Sequence, residues 1–232
     1  NVVKYYNNAT YNTFYHNMLS GMSTTSTSTN MAVVYSPSGA GMCDSVITFD
    51  GNIVEYGSYG LYLYGQGSAI GQLENKTMVK NNTFTNQYMA GLYLYYHDAP
   101  EISGNTFISG STYTSGISIY TAYCDNRLTI VKNRITRFYG GYGINTYYCD
   151  GAYGKEALIA DNMVSILGNN SSYGIYTANG NYQKIFYNSV NIASEAGTSR
   201  GIYLLGSGVF HFIKNNIFAY TGNNSSGLAI YI

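Results

Sequence analysis

Hydrophobic positions in this chain return with a short signature and not with a sustained helical period. Around Asn133 it reads Ile130-Val131-Lys132-Asn133-Arg134-Ile135: an apolar residue, two intervening residues, Asn, any residue, then an apolar residue again. The signature recurs at Asn52, Asn82, Asn105, Asn133, Asn162, Asn188 and Asn215, with a weaker copy at Asn12, and from Asn52 onward the intervals run from 23 to 30 residues. Repeats of that length mark a solenoid, in which a coil buries its inward side chains only by stacking on its neighbours. From Asn52 onward a second element follows each Asn by 8 to 13 residues: Gly60-Leu61-Tyr62-Leu63, Gly91-Leu92-Tyr93-Leu94, Gly116-Ile117-Ser118-Ile119, Gly143-Ile144-Asn145-Thr146, Gly174-Ile175-Tyr176-Thr177, Gly201-Ile202-Tyr203-Leu204 and Gly227-Leu228-Ala229-Ile230. Its alternation predicts a strand with one buried face.

Each repeat thus supplies three short strands and three inward columns. The Gly-led strands contribute Leu61, Leu92, Ile117, Ile144, Ile175, Ile202 and Leu228. The strands before the Asn contribute Phe49, Val79, Ile102, Ile130, Ile159, Ile185 and Phe212. Those after it contribute Phe14, Val54, Phe84, Phe107, Ile135, Val164, Val190 and Ile217. Three columns imply three parallel sheets around a narrow core, an all-β parallel β-helix of about seven to eight coils. Asn suits the corner between two strands because it tolerates a left-handed backbone, and its amide reaches its equivalents in the coils above and below. The expected Asn ladder is structural. Residues 1–45 follow the pattern less closely, and the Ser/Thr-rich stretch 21–30 reads as a loop thrust out of the first coil. Residues 46–232 form regular coils, expected to be part of one continuous solenoid of a longer protein.

Composition narrows the function classes. The net charge is zero and only 9% of residues are charged, so a nucleic-acid footprint is absent. No apolar run reaches the length of a membrane-spanning helix. Three cysteines, Cys43, Cys124 and Cys149, are too few for a disulfide framework and lack paired zinc spacing. The 28 tyrosines, with no tryptophan, stand out.

The motifs Ile185-Phe186-Tyr187-Asn188-Ser189-Val190, Gly201-Ile202-Tyr203 and Lys214-Asn215-Asn216-Ile217-Phe218 resemble right-handed, single-stranded parallel β-helix repeat proteins. The similarity is nearest to large secreted and cell-surface proteins of Bacteroidota, many of them type IX secretion cargo. It covers roughly residues 45–232 and implies an extracellular or bacterial cell-surface location. It leaves function open, because the fold hosts lyases, hydrolases, epimerases, adhesins and fibres.

Candidate chemistry is sparse. The 11 acidic residues are scattered, whereas glycoside hydrolysis needs two carboxyls held close together. Polygalacturonase-type motifs do not occur, and Arg134 and Arg137 read as surface strand residues. His97-Asp98, Cys124-Asp125 and Cys149-Asp150 follow successive Gly-led strands. If they stack on one edge they are metal candidates, through His97, Asp98, Asp125 and Asp150, with Ca²⁺ as the ion for hard ligands; otherwise they are turn formers, and no cofactor is expected. Cys124 and Cys149 on adjacent coils are also a disulfide candidate, which would leave Cys43 unpaired.

The tyrosines are better patterned. Outward positions of the Gly-led strands carry Tyr62, Tyr64, Tyr93, Tyr95, Tyr120, Tyr147, Tyr176 and Tyr203, a stripe suited to sugar rings or to a protein partner. The same placement also follows from the strand propensity of Tyr. The leading expectation is a non-enzymatic extracellular repeat region, a rigid display scaffold in an adhesin or fibre, with carbohydrate or protein contact along the stripe. The alternative is a fragment of a polysaccharide lyase or glycoside hydrolase. The chain stops inside a strand without a cap, so self-association or a larger parent chain is expected at the ends.

Overall fold

The computed structural model describes residues 1–6, 8–39, 44–69 and 71–232. They form an all-β parallel solenoid of three sheets. The second and third sheets each hold eight strands, one per turn, and the first runs through nine strands in sequence with one side pairing. Every named pairing is parallel, between one turn and the next. The first sheet includes the strands Tyr59–Tyr64, Ala90–Asp98, Ile117–Asp125, Gly141–Tyr147, Ser172–Ala178 and Arg200–Leu205.

The register fixes the three inward columns. The first sheet stacks Val3, Val34, Leu61, Leu92, Ile119, Ile144, Ile175, Ile202 and Ile230. The second stacks Phe14, Phe49, Val79, Ile102, Ile130, Ile159, Ile185 and Ile213. The third stacks Leu19, Val54, Phe84, Phe107, Ile135, Val164, Val190 and Phe218. In the central turns these side chains are sealed from solvent, and each full burial stabilises by about 1.5–3 kcal/mol. Aromatic members lie flat on one another, Phe14 on Phe49 at 4.8 Å and Phe84 on Phe107 at 4.6 Å.

Several expected members shift. Ile119 replaces Ile117, and Ile230 replaces Leu228. Phe14 belongs to the second sheet. In the last turn Ile213 and Phe218 point inward in place of Phe212 and Ile217. The first turn already contributes Val3–Lys4, Thr13–Tyr15 and Met18–Ser20 to the three sheets, while 21–28 carry no regular element.

The repeated glycine has a steric reason. A Cβ on Gly91 would lie 2.6 Å from the Phe107 ring and 2.8 Å from the Ser118 carbonyl oxygen. One on Gly143 would meet the Gly174 carbonyl and Val164, both at 2.6 Å. Position by position, Ser118 and not Gly116 stands opposite Gly91, because Leu92 pairs with Ile119.

Candidate functional site

The Asn corner sets the position of the strands on either side of it. Asn17, Asn52, Asn82, Asn105, Asn133, Asn162, Asn188 and Asn216 form one ladder. The main-chain N–H and the Nδ2 of each donate to the Oδ1 of the next, over 2.8–3.1 Å. From Asn52 onward Nδ2 also donates to a carbonyl of the preceding turn, Ile102 in the case of Asn133.

Two expectations change here. The last rung is Asn216, not Asn215, and the first is Asn17, not Asn12. The left-handed residue is not the ladder Asn but the one before it. His16, Gly51, Asn81, Gly104, Lys132, Asp161, Tyr187 and Asn215 all have φ between +53° and +69°. That residue makes the corner and frees the following Asn to point inward.

The outward face of the first sheet carries the tyrosines. Tyr35, Tyr62, Tyr93, Tyr120, Asn145, Tyr176, Tyr203 and Tyr231 share one column, and Tyr64, Tyr95, Ala122, Tyr147 and Ala178 a second. Rings in the upper part lie face to face: Tyr62 on Tyr93 at 4.7 Å and 8°, Tyr93 on Tyr120 at 4.5 Å and 24°, Tyr64 on Tyr95 at 4.5 Å and 5°. Lower down, Tyr176 and Tyr203 meet edge to face at 5.2 Å and 86°. The stripe therefore spends its ring faces on itself and shows solvent its edges and hydroxyls. Burial, reinforced by neighbouring phenols, raises the pKa of Tyr62 and Tyr93, and burial pushes Tyr142 up to about 12. All stay protonated donors at neutral pH.

The residues that follow the Gly-led strands separate across the wall. Tyr96, Tyr123 and Tyr148 are left-handed, with φ of 64°, 49° and 47°. That kink turns His97, Cys124 and Cys149 into the core, fully buried, and leaves Asp98, Asp125 and Asp150 half-buried outside. His97 is in register with Cys124, and Asp98 with Asp125, so the pairs do stack, but on opposite faces of the wall.

The outer carboxylates cap the next turn. Asp98 accepts from Asn126 Nδ2 at 2.7 Å, Asp125 from the Asp150 N–H at 3.1 Å, and Asp150 from Asn181 at 2.8 and 2.9 Å. Burial, with the charges of Asp150 and Asp98, raises the Asp125 pKa, while the Asp150 N–H opposes the shift. Cys124 and Cys149 are free thiols on adjacent turns, not a disulfide. Cys149 Sγ is 3.5 Å from the carbonyl and from the hydroxyl of Thr121. Cys43 lies outside the described residues.

Two further buried polar groups gave no signal in the sequence. Glu74, held by the short strand Glu74–Asn75 against His97–Asp98, sits inside the first turns with Asp44. Its Oε1 accepts from the Asp44 N–H at 3.3 Å, and its Oε2 is 3.5 Å from His97 Nδ1. Burial, then the Asp44 charge, raises the Glu74 pKa to about 9. Burial lowers that of His97 to about 4. Both groups are uncharged at neutral pH. Arg137 is the second. Expected at the surface, it is buried between Gly116 and Gly141, where a Cβ would strike its Nη2 or approach it to 3.2 Å. Its Nε donates to the Gly140 carbonyl at 2.7 Å, and burial lowers its pKa to about 10. Arg134 is exposed as expected.

Eight parallel turns around an Asn ladder and three apolar columns define a parallel β-helix repeat protein. Residues 1–164 match the family model described as periplasmic copper-binding protein (NosD), and the chain belongs to that family. No curated protein and no solved structure gave a match. No helix among the described residues is long and apolar enough to cross a membrane.

The family description raises copper, and the donors can be tested for it. Soft thiolate and imidazole ligands would suit Cu(I), and the inward column holds both types. Yet His97 is committed on both ring nitrogens, Nδ1 to the Thr77 hydroxyl at 2.9 Å and Nε2 to the Leu63 carbonyl at 3.2 Å. Burial and the neighbouring Cys149 raise the Cys124 thiol well above its usual range, away from the thiolate a metal needs. Among the described residues no group of three or more His, Cys, Asp or Glu could hold a metal ion. These residues do not fit a copper centre.

Proposed function

We propose that this chain is a non-enzymatic, extracytoplasmic β-helix region, a rigid spacer and display surface of a cell-surface adhesin or fibre. Glycan contact would run along the outward tyrosines. The observation that carries the reading is the division of the first sheet's wall. Its inward face is committed to the apolar column, while its outward face repeats phenol edges and hydroxyls turn after turn. Positive ring edges beside phenol hydroxyls suit the hydroxyl oxygens of a polysaccharide. The chain's family, described as periplasmic, supports a setting outside the cytoplasm. The side chains of Asp44 and Glu74 are sealed in the core, away from any polysaccharide.

The test is replacement of Tyr62, Tyr93 and Tyr176 by Ser, with far-UV circular dichroism as the check on fold. Loss of binding to immobilised polysaccharides supports the proposal, and unchanged binding overturns it. Glycan turnover that disappears when an acidic residue of this region is changed would defeat the non-enzymatic reading.

A further inference from the structure

The tyrosine stack closes its own ring faces except where it is interrupted. In the central column the interruption is Asn145, between Tyr120 on one side and Tyr176 on the other. Tyr120 stacks on Tyr93 through one face, and among the described residues no other aromatic ring contact is made by Tyr120. The second column is also interrupted, at Ala122, but there Tyr123 leans in, 5.4 Å from Tyr95 and 6.1 Å from Tyr147. At the Asn145 level Tyr142 leans on Tyr176, edge to face at 5.5 Å and 87°, so the side of the gap left open is the Tyr120 face.

Residues two turns apart are separated by about 9.6 Å, twice the spacing between paired strands. A ring inserted at the Asn145 level would lie one such spacing below Tyr120, as Tyr120 lies below Tyr93. The Asn145 amide is half-buried and has no hydrogen-bond partner among the described residues, so it offers a donor and an acceptor at the floor of the gap. Tyr142 and Tyr147 flank it on the same strand. The five strand segments around the gap, 59–64, 90–95, 117–122, 142–147 and 173–178, contain no charged residue.

We infer that the gap at Asn145 is a subsite for one pyranose ring of a neutral glycan. The apolar face of the sugar packs on the open face of Tyr120, and its hydroxyls bond the Asn145 amide. A uronate would find no counter-charge there. The inference rests on the glycan reading of the stripe and narrows it to one place.

Isothermal titration with β-1,4- and β-1,3-glucose hexasaccharides, and with hexagalacturonate as the charged comparison, tests it. Asn145→Tyr completes the stack and should weaken binding of a neutral hexasaccharide by at least about tenfold with the melting temperature kept or raised. Asn145→Ala leaves the gap open and removes only the amide, so a loss of about threefold to tenfold is expected. Met163→Thr, on the outer face of the third sheet, should change nothing. Undiminished binding by Asn145→Tyr overturns the subsite; if Tyr62, Tyr93 and Tyr176→Ser then still abolishes binding, the stripe reading survives. Binding of hexagalacturonate in preference to the neutral sugars overturns the ligand class. Failure of the wild-type protein to bind any of the three hexasaccharides overturns both.

Discussion

Asn133→Ala is the sharpest probe of the ladder. Asn133 is 1% exposed and makes four side-chain hydrogen bonds. Its Oδ1 accepts from the Asn105 N–H and Nδ2, both at 3.0 Å, and its Nδ2 donates to the Ile102 carbonyl and to Asn162 Oδ1, also at 3.0 Å. Alanine removes all four. Asn105 Nδ2 keeps its bond to the Val79 carbonyl, and Asn162 Oδ1 keeps the N–H of residue 133. The Asn105 N–H and the Ile102 carbonyl lose the ladder partner in a place that water does not reach.

At about 1 kcal/mol net for each of the four bonds the expected loss is about 4 kcal/mol, to which the stranded N–H adds about 1–3 kcal/mol. Asn216→Ala removes equivalent bonds at a partly exposed rung, where water can replace them, and should cost about 1 kcal/mol or less. Urea unfolding followed by circular dichroism measures both. The slope with denaturant must stay at the wild-type value, since a fall would mean that the array unfolds in parts. A loss under about 1 kcal/mol for Asn133→Ala, or equal losses at the two rungs, would refute the assignment of the ladder as the corner's main polar stabiliser.

Two further outcomes follow from the core. Glu74 binds its proton more tightly folded than unfolded, with a pKa raised from 4.5 to about 9. Its contribution is therefore fully present below about pH 4.5 and is lost as pH rises toward 9. Glu74→Gln, neutral throughout, should match wild type near pH 4.5 and exceed it by about 1–3 kcal/mol at pH 8; a pH-independent difference in melting temperature contradicts the burial of an ionisable acid there. Cys124 and Cys149 are completely buried, so an aromatic disulfide reagent should leave both unmodified in the native protein and titrate both in denaturant; rapid native reaction would show that the core column is open.

The architecture is legible in the residue pattern alone. Recurrent Asn, Gly-led alternation and apolar triplets leave little besides a three-sided parallel solenoid, because a coil with these patterns buries nothing until it is stacked. The pattern also placed the tyrosines on the outward face of one sheet, since side chains alternate strictly along a strand.

Register was decided only by the tertiary structure. Turn lengths vary, so Asn215-Asn216 offers two equal rungs by sequence, and pairing of Ile185 with Ile213 selects Asn216. Likewise Ser118, and not Gly116, stands at the glycine position opposite Gly91. The left-handed Tyr96, Tyr123 and Tyr148 each add a residue to the corner, which sends His97 inward and Asp98 outward and dissolves the apparent metal edge. Glu74, Asp44 and His97 are brought together from separate turns, and Arg137 is admitted to the core between the nearby Gly141 and Gly116 of the preceding turn, a pairing that only stacking creates. The gap at Asn145 belongs to the same class. One Asn among tyrosines reads as ordinary variation, until stacking shows that it is the place where a ring is missing.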